Sequence, residues 1–286
     1  MELNLKEVRR VYYDGKHNAF TDITKYRGKY YICFRNGKGH VSEDGKIYVL
    51  SSEDLINWKI ISILSTDFDD RDPKFFEING KLGITFFLRS HSEKKATGKS
   101  GISFYDTNKE VFTSPKIIDL GLISWRIRRY KGKLYLTAYK TGEKGEDWES
   151  VLFTSIDGIN YTYVSTILKG EFANETDLAF LENDSCLALV RRGGKTPVLA
   201  ISKPPYLKWE RFPLNLFLQG PMIKRVGDFI LVAGRSKKEG KTVTALFELN
   251  LKAKTLVHRL TLPSGGDTSY PGVVVDEKQQ LLYLTY

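Results

Sequence analysis

Six short groups rich in carboxylates, arginines and aromatics recur along this chain at intervals of about fifty residues. They are Asn18 to Asp22, Asp70-Arg71-Asp72, Trp125-Arg126, Glu175 to Asp177, Gly220 to Met222 and Asp267 to Tyr270. Arginine forks bind carboxylates or phosphates through paired hydrogen bonds, and aromatic faces cover the apolar side of a pyranose ring, so the mixture points to a sugar. Arg71, Trp125, Arg126, Asp177 and Asp267 are the candidate sugar contacts. Glycoside hydrolysis needs two groups flanking the scissile bond. One is protonated to help the leaving group depart, and one attacks or activates water. Asp72 and Glu175 supply carboxyl groups for such a pair.

The elements that must position these groups are β-hairpins. An apolar or aromatic residue, a Gly-Lys turn and then an alternating apolar run recur at Tyr26-Arg27-Gly28-Lys29, Ile78-Asn79-Gly80-Lys81 and Tyr130-Lys131-Gly132-Lys133. The turn glycines at 28, 80 and 132 lie 52 residues apart. Comparable turns follow at Asn183-Asp184-Ser185, Val226-Gly227-Asp228 and Glu277-Lys278-Gln279, each ahead of another apolar run. Further strand-like runs between them, among them KIYVLSS, WESVLFTS and TVTALFEL, bring the number to about four strands per repeat, the signature of a propeller blade. The pattern predicts a single all-β domain over 1–286, a six-bladed β-propeller with four-stranded antiparallel blades. A β-sandwich is the alternative fold. The last repeat holds only two strands, so the run Glu7 to Tyr13 is expected to pair with it and complete the blade. In a propeller the innermost strands start at one mouth, which brings the six groups around one cavity.

Composition narrows the partners. The net charge of +10 suits an acidic ligand, but the lysines are scattered through loops, as at Lys94-Lys95 and Lys237-Lys238, and no nucleic-acid motif is present. A glycan or small sugar is the expected partner, with no nucleic acid and no membrane span. Cys33 and Cys186 lie in apolar runs without zinc-site spacing. They belong to repeats one and four, roughly opposite in a six-fold ring, and are expected to be unpaired. The sequence lacks an apolar signal segment near Met1, which predicts a cytoplasmic protein.

These residues resemble the sialidase (neuraminidase) superfamily, six-bladed propellers with Asp-box, or BNR, repeats. Degenerate versions of the box Ser-x-Asp-x-Gly-x-Thr-Trp stand at Ser51 to Trp58, Thr154 to Tyr161 and Ser202 to Trp209. A more specific match is Asn174-Glu175-Thr176-Asp177 followed by Arg191, similar to the family's segment carrying a glutamate and an arginine of the substrate clamp. Arg235, after Gly220-Pro221-Met222-Ile223, resembles the last clamp arginine, and Ser269-Tyr270 the segment with the nucleophilic tyrosine. Where the family opens its first blade with an arginine in Arg-Ile-Pro, this chain has Ala19-Phe20-Thr21-Asp22, and Arg35 resembles a different family arginine.

The resemblance implies a retaining exo-glycosidase acting on a terminal sugar that can be acidic, with no metal or organic cofactor. Tyr270 is then the nucleophile and Glu175 its base, with Arg35, Arg191 and Arg235 binding substrate. Asp44 stands where the resemblance would put the acid, with Asp72 its competitor. Other readings stay open. Asp72 before Pro73 equally fits a carboxylate capping backbone N–H groups at a strand entry, and Tyr270 equally fits plain core. Two rivals remain for the whole: an inverting glycosidase or phosphorylase like the five-bladed families, using Asp72 and Glu175, and a non-catalytic glycan-binding propeller.

Overall fold

The computed structural model describes residues 2–92, 95–265 and 268–286. Among these the chain is all-β apart from one 3-10 turn at Gly145–Asp147. The first blade is β1 (His17–Tyr26), β2 (Lys29–Gly37), β3 (Lys46–Ser52) and β4 (Lys59–Leu64), in that order. The second is β5 (Asp69–Ile78), β6 (Lys81–Arg89) and β7 (Ala96–Asp106), with its outer strand split into β8 (Val111–Phe112) and β9 (Lys116–Asp119), both paired to β7. The third is β10 (Ile123–Tyr130), β11 (Lys133–Lys140), β12 (Glu149–Ser155) and β13 (Thr162–Lys169). The fourth is β14 (Ala173–Phe180), β15 (Cys186–Arg192), β16 (Val198–Ser202) and β17 (Glu210–Pro213). The fifth is β18 (Gln219–Val226), β19 (Phe229–Lys238), β20 (Lys241–Asn250) and β21 (Thr255–Thr261). A two-stranded sheet, β22 (Gly272–Asp276) and β23 (Leu281–Thr285), follows.

The fold is therefore of the all-β propeller class with four-stranded antiparallel blades, but the blades number five, not the expected six. The sixth sequence repeat supplies only the β22–β23 hairpin, because no residue from 2 to 13 is in a strand. Other contacts hold that run. The Tyr12 ring lies 5.1 Å from Phe34 and 5.8 Å from Tyr48, and Asp14 accepts hydrogen bonds from Asn18 Nδ2 at 2.9 Å and Asn36 Nδ2 at 2.7 Å. Anchored on the first blade by its side chains, the segment has no need of a ladder partner.

Two compact units make up the chain, one of Met1–Val8, Tyr135–Ser155 and Tyr161–Pro271, the other of Arg9–Leu134, Ile156–Asn160 and Gly272–Tyr286. In the first unit, β15 explains its own apolar run. Leu187 and Leu189 pack into one core cluster with Leu218, Val232 and Phe247, while Cys186, Ala188 and Val190 pack into another with Leu152, Ile167 and Trp209. Successive side chains point to opposite faces, and both faces are covered, so every position must be apolar. In the second unit Cys33, Ile47, Val49, Ile84, Phe86 and Leu88 form the corresponding core.

Four inner strands, β1, β5, β14 and β18, carry one extra residue near their start. Between Ala19 and Asp22, Arg71 and Lys74, Ala173 and Thr176, and Gln219 and Met222, three steps on the inner strand match two on its partner. Such a bulge leaves one residue unpaired and turns a side chain out of the strict alternation. Phe20, Asp72 and Gly220 occupy the left-handed region at these bulges, with φ of 62°, 51° and 55°. Pro73 and Pro221 sit at the next position, where the proline's missing donor costs the ladder nothing.

Cys33 and Cys186 are both free and fully buried, and burial pushes both thiols well above their ordinary pKa. Native protein should therefore react slowly with an aromatic disulfide reagent, and guanidinium-unfolded protein should release two thiol equivalents per chain. A rapid native reaction would contradict this burial.

Candidate active site

The bulge of β14 produces the central feature of the first unit. Ala173 pairs with Arg192 and Thr176 with Val190, so Asn174 and Glu175 together face the single residue Arg191. An acidic residue opposite a basic one across a hairpin forms an ion pair, and Arg191 Nη1 lies 2.7 Å from Glu175 Oε2. The backbone N–H of Gly220 donates to the same oxygen at 3.1 Å. The Tyr270 hydroxyl donates to the other oxygen, Oε1, at 3.1 Å. Glu175 is only 6% exposed, so its charge is held by protein donors rather than by bulk water.

Arg235, paired with Gln219 across β18 and β19, places its guanidinium carbon 5.7 Å from the Tyr270 ring centroid. Two arginines thus flank one phenol. Burial works against the Arg191 charge, but Glu175 and Tyr270 outweigh that and hold the guanidinium above its ordinary pKa. Tyr270 itself has φ of 60°. A bulky side chain there is uncommon and costs about 1–3 kcal/mol, strain that persists only where the surroundings over-determine it.

Gly220 is what lets the tyrosine sit there. A Cβ at Gly220 would stand 2.9 Å from Ser269 Oγ, 3.0 Å from Tyr270 Cδ1 and 3.1 Å from Cε1. The backbone needs glycine for its φ as well. Asp177, two residues beyond Glu175, is wholly buried, with Oδ1 accepting from Leu178 N and Oδ2 from Ile223 N, each at 2.8 Å. Both oxygens are engaged with backbone, an arrangement that ties β14 to β18. Arg192, the other member of the Arg191-Arg192 pair, turns away to Glu171 at 2.5 Å and to Thr196 O at 2.8 Å.

The remaining candidates lie in the second unit, where the dominant feature is a buried charge network. Arg35 is fully buried, with Nε on Asp69 at 2.7 Å and its other nitrogens on Gly39 O, Ser42 O and Ser42 Oγ. Arg71 bonds Asp69 at 3.0 Å and His40 O at 2.7 Å, and its guanidinium carbon sits 4.8 Å from the Phe20 ring centroid. Asp72 is 7% exposed and 4.0 Å from Arg71 Nε. Arg126 reaches Asp22 at 3.5 Å, and Trp125 has its ring 5.7 Å from the fully buried Lys74 ammonium. Burial, reinforced by Arg126, pulls the Lys74 pKa down. Asp44 accepts from the Lys38 backbone N–H at 3.0 Å, which holds its carboxyl below the usual carboxylate range and ionised at neutral pH. Asp267 lies outside the described residues.

Two features were not assigned from sequence. The Gly220 N–H as a donor to Glu175 is one; its signal was the residue-Pro step shared by Asp72-Pro73, Gly220-Pro221 and Tyr270-Pro271. The other is Asp70, whose position ahead of Arg71 carried no role. It is fully buried and accepts from Thr66 N at 2.9 Å and Thr66 Oγ1 at 2.5 Å. Burial pushes its carboxyl up to about 7, with Asp69 adding to the rise and the Thr66 bonds and His91 opposing it.

No family model matches this chain, and no curated protein matches it either. Solved structures do. Trypanosoma rangeli sialidase superimposes with a TM-score of 0.70 at 12% identity, covering 94% of this chain and 52% of that one. An exo-beta-1,3-galactanase from Phanerochaete chrysosporium, solved with galactose, gives a TM-score of 0.63 at 11% identity over 94% and 66% of the two chains. Penicillium chrysogenum alpha-L-arabinanase, complexed with arabinobiose, gives 0.68 at 13% over 92% and 86%. The chain thus spans about half of the sialidase and just under two thirds of the galactanase. At these identities the likeness is one of fold, and the fold is that of the propeller glycoside hydrolases.

Two outcomes test the geometry. Gly220→Ala should cost about 1 kcal/mol or more in unfolding free energy, since it meets both a left-handed φ and the Tyr270 ring; an unchanged denaturation midpoint would contradict the packing. Asp70, protonated in the folded protein up to about pH 7 but only to about pH 4 unfolded, contributes stability that is complete below pH 4. That stability is lost as pH rises from about 4 to about 7, on the order of a few kcal/mol. Denaturant curves across this range should show the loss in native protein and a flatter profile in Asp70→Asn.

Proposed function

We propose that this protein is a retaining glycoside hydrolase of the sialidase type, with Tyr270 as nucleophile and Glu175 as the base that takes its proton. The observation that carries this reading is the 3.1 Å hydrogen bond from the Tyr270 hydroxyl to Glu175 Oε1, in a tyrosine flanked by Arg191 and Arg235. An ordinary phenol has a pKa near 10 and attacks poorly at neutral pH. A carboxylate accepting the phenol's hydrogen bond is placed to take its proton, and the Arg191 guanidinium bonded to both groups can offset the charge that develops on the phenolate.

In the first step Tyr270 Oη bonds to the anomeric carbon, the bond to the leaving oxygen breaks, and the phenol proton passes to Glu175. In the second step water attacks the anomeric carbon, the bond to Tyr270 breaks, and the proton returns from Glu175 to the phenolate while the water's own proton leaves to solvent. The sugar thus undergoes two inversions and keeps its configuration. Arg191 and Arg235 present cations suited to an acidic sugar, and the absence of an arginine at Ala19 to Asp22 leaves the clamp with one fewer arginine than the family pattern. The degenerate Asp boxes fit the same family. Asp54 Oδ1 accepts from Ile56 N and Asn57 N at 2.8 Å, and Asp157 Oδ1 does the same with Ile159 N and Asn160 N.

An inverting mechanism on Asp72 and Glu175 needs Tyr270 to be remote from Glu175, and the hydrogen bond between them favours the nucleophilic tyrosine instead. Asp44, held ionised, suits the role of leaving-group acid poorly. The first assay should therefore use aryl glycosides, whose good leaving groups need no acid. On a panel that includes acidic sugars, Tyr270→Phe should lower kcat by at least about a thousandfold while sugar binding changes by only a few-fold. A fluorinated glycosyl fluoride should label Tyr270 of the native protein by mass spectrometry. An undiminished rate in Tyr270→Phe, or labelling at a carboxylate, would reject the assignment.

A further inference from the structure

A groove of about 610 Å³ opens beside Arg235 in the first unit, lined by Phe217, Gln219, Arg235, Lys237, Lys241, Thr242, Val243, Ser264 and Gly265. Among the described lining residues three are cations and none is a carboxylate. The strand geometry explains the concentration. Arg235 and Lys237 are two apart on β19 and so project from the same face, and Lys241 stands just across the β19–β20 turn, where it pairs with Lys238. At one end Arg235 is shared with the Tyr270 ring; further along, Lys237 Nζ sits 5.3 Å from the centroid of the Phe217 ring. Phe217 is fixed in turn by its carbonyl, which accepts from the buried Ser236 hydroxyl at 2.8 Å.

We infer that this groove is a subsite for an acidic saccharide unit, a sugar carrying a carboxylate or a sulfate, joined to the residue held at Glu175, Arg191 and Tyr270. The inference rests on the glycosidase reading for what occupies the adjoining position, while the groove's preference for an anion rests on its own residues. Arg235 bridges the two places, so a chain lying along the groove would present one unit to the phenol and the next to Lys237 and Lys241. Phe217, capped by Lys237, contributes apolar surface to the groove wall, and Gln219 and Thr242 offer polar atoms for sugar hydroxyls. Lys237 and Lys241 are solvent-exposed, so their attraction for the ligand is screened by salt over about 8–10 Å.

The test is calorimetric binding to Tyr270→Phe protein, which removes turnover from the measurement. The probes are a hyaluronan tetrasaccharide, which carries carboxylates only, a chondroitin sulfate tetrasaccharide, which carries both anions, and neutral chitotetraose. Both acidic probes, or the sulfated one alone if sulfate is the recognised group, should bind at least tenfold more tightly than chitotetraose at low salt, and the difference should shrink at 0.3 M NaCl. Lys237→Gln/Lys241→Gln in the same background should lose at least tenfold in acidic-probe affinity, with an unfolding temperature matching its parent to show that it folds. Equal binding of acidic and neutral probes, or full acidic affinity in the double variant, would overturn the subsite. If the native protein turns over no glycoside yet the acidic preference and its loss in the lysine variant are seen, the hydrolase reading fails and the groove stands.

Discussion

An antiparallel hairpin with one surplus residue cannot keep every side chain on its alternating face, and this constraint underlies the architecture of the site. At β14 the surplus puts Asn174 and Glu175 opposite Arg191, converting a strand entry into a carboxylate with an arginine beside it. At β18 the same device places Gly220, whose N–H completes the Glu175 shell and whose missing side chain admits the Tyr270 ring. The strain of a tyrosine at φ of 60° is supported by the Glu175 hydrogen bond and the Arg235 contact. These contacts together surround the strained position, which is how such backbone strain persists.

The two units treat buried charge differently. In the second, Arg35 and Asp69 satisfy each other so completely that Gly45 can bear no side chain: a Cβ there would lie 1.9 Å from Asp69 Oδ1. A network of that kind is strongly destabilised by loss of one partner, which leaves an uncompensated buried charge. Its arginines are committed to the fold. In the first unit Arg191 keeps its side chain 19% exposed, and its attraction is shared between a carboxylate and a neutral phenol. The Arg191 guanidinium is thus less enclosed than that of Arg35, whose side chain is wholly buried.

Asp177 and Glu175 show how finely position divides these roles. They are two residues apart on one inner strand, both buried carboxylates. Asp177, past the bulge, meets two backbone N–H groups and ties adjacent inner strands together. Glu175, within the bulge, meets an arginine and a hydroxyl. The short side chain caps backbone; the longer one reaches a group that can give up a proton.

Much of this was legible in the residues themselves. The recurrence of turn glycines and apolar runs determined an all-β chain built of four-stranded blades, because hairpin turns and period-two burial leave a direct mark on sequence. The spacing from Glu175 to Arg191 marked both, by resemblance, as members of one site, but their ion pair depends on the bulge in β14, which the spacing did not reveal. Blade number was not legible. Residues 8–13 read as a strand that could complete the last blade, yet whether such a run joins a ladder or lies down by its side chains depends on what surface meets it, and Phe34 and Tyr48 come from strands more than twenty residues away. The fate of each charged group was likewise decided only by tertiary structure: Arg35 and Arg191 look alike at the end of an apolar strand. One found Asp69 and three loop oxygens, and the other found Glu175 beside a tyrosine 79 positions on in sequence. Electrostatic roles are set by partners distant along the chain, and no local pattern encodes them.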